Sequence, residues 1–277
     1  MKTVFITGAS SGIGRAVAFH FQEKGWNVVA TMRNIEKETE LSLFPNILVA
    51  YCDVLNKSSI LEAIQKGIER FGSIDVLINN AGYYTIGTLE ATSSEEIQRQ
   101  IDTNLIGVIE VTKALIPHFR EQKYGTIINI SSIAGIISVP LQSIYHASKW
   151  GLEGFSEALQ YELQQFNISV KLIEPGVINT NFYDRSMTVN YDIHLDEYKS
   201  YEEGVLSNLI DSGKAGSSST AVALEVFKSA NDNKKKLRYP TGKSKYLVYL
   251  RRLLPFWIYQ VLTKLIIEKG GKNEISN

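Results

Sequence analysis

Cys52 is the single cysteine among 277 residues, so no internal disulfide can staple the chain and its stability must come from packing. The four histidines, His20, His118, His146 and His194, have no partner four residues away, and there is no Cys-x-x-Cys. No zinc ligand set can be assembled from such spacings, and no metal site is expected. No run approaches the roughly 18 apolar residues of a spanning helix; the richest candidate, 253–267, is interrupted by Pro255, Gln260 and Lys264. The opening Met1-Lys2-Thr3-Val4-Phe5-Ile6-Thr7-Gly8 is too short an apolar run for a signal peptide. These absences predict a cytoplasmic chain. Formal net charge is zero, which gives no broad positive field, and no nucleic-acid partner is expected. The balance is uneven, because 234–277 carries eleven Lys and Arg against Glu268 and Glu274.

With 44% hydrophobic and 21% charged residues the chain can bury a sizeable core. Short β-branched runs at 4–7, 28–31, 47–52, 76–79, 126–130 and 170–173 alternate with longer helical patterns, except that a polar segment of weak helicity follows 28–31. Such alternation predicts an α/β fold, a doubly wound parallel sheet in a single domain. Leu237-Arg238-Tyr239-Pro240-Thr241-Gly242 adds a last strand whose proline suits an edge or a strand end. The rhythm lapses over 182–216, a length typical of a lid or binding loop. The expected organisation is one domain at 1–242, with that helical lid inserted, and an extension at 243–277.

Gly8, Gly12 and Gly14 lie where the first strand must turn sharply into a helix whose apolar stripe begins at Ile13, Val17 and Phe21. Missing Cβ atoms permit positive φ and let backbone amides approach a pyrophosphate at the helix N-terminus. Ser10, Ser11 and Ile13 stand between those glycines and share the expected cofactor contact. At the end of the second strand an NAD site usually offers an Asp or Glu to the ribose 2′-hydroxyl. Here the sequence is Thr31-Met32-Arg33-Asn34. Without that carboxylate a 2′-phosphate meets no repulsion, and the Arg33 guanidinium can hydrogen-bond it, so NADP is favoured over NAD. The plainer alternative is a solvated Arg33 on a polar loop beside Glu36, Lys37 and Glu38.

Tyr145 and Lys149 are four apart and share one helical face, so the ammonium can sit beside the phenol and lower its pKa. Leu152, Phe155, Leu159 and Leu163 continue the same stripe, which makes that face the inward one. Ser132 follows the strand at 126–130, near a carboxyl end where ligands bind in open α/β sheets, although a serine there can simply cap a turn. Asn104 falls on the stripe of Ile97, Ile101, Leu105 and Val108, where an amide needs a helix carbonyl or a buried water; a structural role and a proton relay both fit. Asn79-Asn80-Ala81-Gly82 ends another strand and either borders a nucleotide or forms a tight turn. His146 lies about 100° from Tyr145 around the helix and is expected to leave the active face. Together the glycine turn and the Tyr145/Lys149 pair read as hydride chemistry on a carbonyl.

In order along the chain stand Thr7-Gly8-x-x-x-Gly12-x-Gly14, Asn79-Asn80-Ala81-Gly82, Asn104, Ser132, Tyr145-x-x-x-Lys149 and Pro175-Gly176-x-x-x-Thr180. In these the chain resembles the short-chain dehydrogenase/reductase family, in its short single-domain branch, which implies a Rossmann-type sheet. By that resemblance Tyr145 is the general acid in reduction and the base in oxidation. Lys149 lowers its pKa and holds the nicotinamide ribose, Ser132 orients the substrate oxygen, and Asn104 holds a relay water. Asp53 would contact adenine; Asn80, Ala81 and Gly82 would border the cofactor, with Pro175, Gly176, Ile178 and Thr180 on its nicotinamide side. The resemblance also implies a homodimer or homotetramer through the helices containing Asn104 and Tyr145. It points most closely to members acting on steroids, retinoids or other lipophilic alcohols and ketones. The competing readings are a cofactor-sensing regulatory or scaffold protein without turnover and an epimerase or dehydratase of the wider fold.

Phe182, Tyr183, Met187 and Tyr191 in the lid, with Leu141, either line an apolar cleft or pack the lid onto the body. Beyond it, 243–269 interleaves Tyr246, Leu247, Leu250, Leu253, Leu254, Trp257, Val261 and Leu262 with Lys and Arg, an amphipathic helix with a kink near Pro255. Its apolar face needs a partner: the protein's own substrate cleft, another subunit or a membrane surface. Packing on the body or in a dimer is the simplest expectation, with peripheral membrane contact as the alternative.

Overall fold

The computed structural model describes residues 1–178, 187–189, 196–214, 216–242 and 245–268. In chain order, β1 (Thr3–Ile6) leads to α1 (Gly12–Glu23) and β2 (Asn27–Met32). β3 (Ile47–Tyr51), α2 (Lys57–Phe71), β4 (Val76–Asn79) and β5 (Tyr84–Ile86) follow. Next come α3 (Ser94–Ile101), a π-helical turn at Asp102–Ile106, α4 (Gly107–Gln122) and β6 (Gly125–Ile130). The second half holds α5 (Ser143–Leu163), β7 (Ile168–Glu174), β8 (Met187–Val189) and α6 (Asp196–Lys214). α7 (Ser219–Asn231), β9 (Arg238–Pro240), α8 (Lys245–Leu253) and α9 (Phe256–Glu268) complete it.

Seven of these strands form one sheet in the order β3-β2-β1-β4-β6-β7-β9, and every pairing is parallel. Successive side chains point to opposite faces, so Phe5, Val29, Leu77, Ile127 and Leu172 meet α2, α4 and α5 through Ile60, Leu115, Phe119 and Leu152. On the other face Ile6, Val28, Ile78 and Ile128 meet Val17 and Phe21 of α1 and Val222 and Val226 of α7. Phe5, Phe21 and Phe119 are wholly buried, each contributing roughly 1.5–3 kcal/mol of apolar transfer. The strand order reverses between β1 and β4, which opens a crevice at the carboxyl edge of the sheet.

The segment after β2 holds only a single 3₁₀ turn at Leu41–Leu43, in keeping with its weak helical pattern. β9 pairs with β7 at the sheet edge and ends at Pro240, where a missing N–H does no harm. Pro255 separates α8 from α9. The sequence pattern did not foretell β5 and β8, which pair with each other in a small second sheet.

Candidate active site

The glycine turn is braced from β4. Thr7 Oγ1 accepts the backbone N–H groups of Asn80 and Ala81 at 2.9 and 3.0 Å, and Asn80 Nδ2 donates to the carbonyls of Thr7 and Gly8 at 3.0 Å each. Gly8 has φ +68°, and a Cβ there would sit 2.9 Å from Ala81 Cα; a Cβ on Gly14 would overlap Asn80 Nδ2 and the Gly8 carbonyl. The backbone thus comes as close to the 80–82 turn as glycine permits. Ser11 caps α1 without a side-chain hydrogen bond, and Ser10 and Ser11 are exposed. First-turn N–H groups of α1 therefore keep their capacity for an anion. A dinucleotide pyrophosphate fits this cradle.

Arg33 lies exposed just past β2, and no carboxylate among the described residues pairs with it. The nearby acid on this loop is occupied. The Glu38 carboxylate, 4% exposed, pairs with Arg15, which also reaches Glu40 at 3.0 Å. Glu38 further accepts the backbone N–H of Glu40 at 2.9 Å and of Leu41 at 2.7 Å, and these partners hold its pKa below the usual carboxylate range against the opposing effect of burial. Asp53 follows β3, its carboxylate accepting Leu55 N–H at 3.0 Å.

Tyr145 and Lys149 stand on the first turns of α5. Lys149 Nζ donates to the Ile130 carbonyl at 2.9 Å, at the end of β6, and lies 5.8 Å from the centroid of the Tyr145 ring. Burial pushes its pKa down to about 8, with Glu153 one turn along opposing that shift. Tyr145 is half-buried and meets the Tyr84 ring edge-on, centroids 4.9 Å apart. Ser132 Oγ accepts Ala134 N–H at 3.1 Å, capping the 3₁₀ turn Ile133–Gly135. That bond fixes the hydroxyl oxygen and leaves its proton to donate. The capping role foreseen for Ser132 and a role toward a ligand are therefore compatible.

Asn104 sits in the π-helical turn, 1% exposed. Its Oδ1 accepts Tyr83 N–H at 3.0 Å, and its Nδ2 donates to the Tyr83 carbonyl at 2.8 Å and to Ser148 Oγ at 3.3 Å. Ser148 Oγ in turn donates to the Tyr145 carbonyl at 2.7 Å. The side chain thus ties the lead-in to β5 to the helix bearing Tyr145. His146 is buried, with Nδ1 2.8 Å from the Ala134 carbonyl and Nε2 accepting Val139 N–H at 3.0 Å. Burial lowers its pKa, so the ring is neutral and holds the loop after Ser132.

Pro175, Gly176 and Ile178 follow β7. The Pro175 carbonyl accepts Ile133 N–H at 2.8 Å, and Ile178 bridges to Ser217. Thr180, Phe182, Tyr183 and Tyr191 lie outside the described residues. An open cleft of about 470 Å³ between Leu141 and α6 is bordered by Gly87, Glu90, Tyr198 and Tyr201. Leu141, at φ +62°, packs with Tyr84, Ile86 and Val205, and Tyr145 abuts this apolar group. Its carbonyl accepts Gly87 N–H at 2.8 Å, which anchors a conformation that leucine rarely adopts.

A family model described as short chain dehydrogenase matches residues 2–188. The chain belongs to the short-chain dehydrogenase family. An uncharacterised oxidoreductase of Schizosaccharomyces pombe is 40% identical over 211 residues, 76% of this chain and 88% of that protein. Human retinol dehydrogenase 8 is 40% identical over 193 residues, 65% of this chain and 60% of its own length. A short-chain dehydrogenase structure from Streptomyces avermitilis superposes with a TM-score of 0.81 at 27% identity, covering 100% of this chain and 99% of that one. As a short-chain dehydrogenase the chain is an oxidoreductase with a Rossmann-like nucleotide fold that binds a nicotinamide cofactor.

Sequence reasoning passed over one buried chain of polar groups behind the site. Asn79 Nδ2 donates to Thr112 Oγ1 and Asn129 Oδ1, both at 2.9 Å, and Asn129 Nδ2 donates to Ser156 Oγ at 2.8 Å. Asn79 and Asn129 are register partners on β4 and β6. An asparagine near the end of each of two apolar strands was the signal available.

Proposed function

We propose that this short-chain dehydrogenase is NADP(H)-dependent and interconverts a lipophilic carbonyl compound and its alcohol, with Tyr145 as the acid/base. The observation carrying the chemistry is the half-buried phenol of Tyr145 beside the buried Lys149 ammonium, held to the Ile130 carbonyl at 2.9 Å. With a pKa of about 8 the ammonium is charged in roughly nine of ten molecules at pH 7, which favours the phenolate and makes Tyr145 a proton donor and acceptor. Bound nicotinamide supplies hydride to the carbonyl carbon, or takes it from the alcohol. Tyr145 and Ser132 hydrogen-bond the substrate oxygen as its charge develops, and Tyr145 gives it a proton. Lys149 holds the nicotinamide ribose. Asn104 positions the helix of Tyr145 through Ser148 and takes part in proton relay to water.

Gly8, Ser10, Ser11, Gly12, Ile13 and Gly14 would hold the pyrophosphate, with Asp53, Asn80, Ala81 and Gly82 along the adenosine side and Pro175, Gly176, Ile178 and Thr180 at the nicotinamide. Arg33 would take the 2′-phosphate. Its exposure, and the engagement of Glu38 by Arg15, support NADP over NAD. The apolar group of Tyr84, Ile86, Leu141 and Val205 beside Tyr145 supports a lipophilic substrate. Exposed Ile106 on the π turn and Trp150 and Tyr161 on α5 suit a homo-oligomer built on these helices. We assign 1–242 to catalysis and cofactor binding and 243–277 to an extension. The site of action is proposed as cytoplasmic, since the one cysteine is buried and unpaired.

The test is oxidation of NADPH and of NADH by the purified protein over a panel of aldehydes, ketones, quinones, steroids and retinoids. Net NADPH consumption that shifts toward NADH in Arg33→Asp is the expected result. Binding of NADPH with no turnover on any compound would replace this reading with that of a cofactor sensor, and turnover without net cofactor consumption would replace it with an epimerase.

A further inference from the structure

The extension presents apolar side chains on two sides. Val248 is buried, and α9 packs on α6, so one side of the helix pair is already satisfied by the body. Yet Tyr246, Leu250, Leu253, Phe256, Trp257 and Val261 are all exposed, Leu253 at 81% and Trp257 at 67%. Tyr246, Leu250 and Leu253 fall at helical spacing on α8, and Trp257 and Val261 at helical spacing on α9, so each helix carries an exposed apolar stripe. A helix that is apolar on both sides needs cover on both.

Charge chooses the cover. From 243 to 272 there are seven Lys and Arg against the single Glu268. Arg251 lies over the rings of Phe256 and Tyr259, 5.0 and 4.9 Å from their centroids, which fixes a guanidinium beside the exposed stripe. A second copy of this chain would oppose like charge to like across such a face. The exposed Ile106, Trp150 and Tyr161 lie on other elements and offer copies a separate meeting place. An apolar stripe containing Trp and Phe and edged with Arg matches instead the boundary between acyl chains and anionic headgroups.

We propose that α8 and α9 form a peripheral docking surface for anionic lipid bilayers, lying in the interface plane with the stripe toward the acyl chains. No helix among the described residues is long and apolar enough to cross a membrane, so the contact is interfacial. α9 packs on α6, whose Tyr198 and Tyr201 border the cleft, so docking would hold the cleft near the bilayer from which a lipophilic substrate leaves. That consequence rests on the proposed function, whereas the docking itself does not.

The experiment is co-sedimentation of the full chain with phosphatidylcholine vesicles, with and without phosphatidylglycerol, at low and high salt. Thermal melting without vesicles controls for folding independently of any activity. Pelleting with the phosphatidylglycerol vesicles is expected, weakened by salt and by omission of the anionic lipid. Arg251→Gln should lower the partition about fivefold, and Leu253→Glu with Trp257→Glu should abolish it while the melting temperature holds. Absence of pelleting, pelleting indifferent to headgroup charge, or pelleting retained by the double variant overturns the proposal. So does a parent chain that is a dimer by analytical ultracentrifugation and pellets no more with vesicles than without, when the double variant is a monomer.

Discussion

Replacing Lys149 with methionine should make the cofactor-free protein more stable while it disables it. The side chain is 8% exposed, and burial moves its pKa from 10.5 to about 8. Between those values the unfolded chain holds a proton that the folded protein has released, so the folded state gains stability as pH rises through that window. Below pH 8 the group is charged in both states and its burial costs about 3 kcal/mol. Methionine fills much the same volume without the charge. It leaves the Ile130 carbonyl without the 2.9 Å bond from Nζ, a loss of about 1–2 kcal/mol. The net gain is about 1–2 kcal/mol at pH 7, or a rise of about 2–5 °C in melting temperature. The two proteins should be melted side by side from pH 7 to 10, with turnover measured in parallel. The gap should narrow above pH 8, close at about pH 9 to 9.5 and reverse above that as wild type recovers the burial cost and keeps its hydrogen bond, and turnover should fall by about two to four orders of magnitude. A Lys149→Met protein that melts lower at pH 7, or a gap that ignores pH, would refute the reasoning.

Three further substitutions probe other parts of the site. Tyr145→Phe deletes one hydroxyl and little volume, so NADPH affinity measured by fluorescence should hold while kcat falls by about two to four orders of magnitude. Gly14→Ala drives a methyl into Asn80 Nδ2 and the Gly8 carbonyl; overpacking of this kind costs about 1–3 kcal/mol, and denaturant midpoint and NADPH dissociation constant should worsen together. Asn129→Leu leaves the amide of Asn79 and the hydroxyl of Ser156 short of a partner and should lower stability by about 1–3 kcal/mol in urea unfolding, with KM for NADPH much less affected.

The sheet was legible because its strands are short β-branched apolar runs separated by longer helical periods, and each pattern is local. The glycine turn and the Tyr145/Lys149 pair were legible for the same reason, since chain spacing alone sets their geometry. β5 and β8 escaped because three residues carry too little periodicity, and Tyr84 finds Met187 only through the tertiary fold. Asn104 was visible as an amide on an apolar stripe, but its bond to the Tyr83 backbone depends on the π-helical turn, which no spacing rule announces. The Arg15 to Glu38 pair joins a helix to a loop 23 residues away, and the loop by itself read only as a solvated polar segment.

β9 arrives late in the chain, and Arg238 on it places its guanidinium 2.9 Å from Glu153, 2.6 Å from Glu157 and 3.6 Å from Glu174. Glu153 lies one turn from Lys149, and Glu174 ends β7. During synthesis every motif residue from Gly8 to Gly176 therefore emerges before the cation that draws these acids together. A nascent chain halted short of β9 would carry the whole signature while Glu153, Glu157 and Glu174 lack the guanidinium they share. This end of the sheet should therefore finish folding only once β9 has been made, and a chain cut before Leu237 should be digested faster by a protease than the full chain.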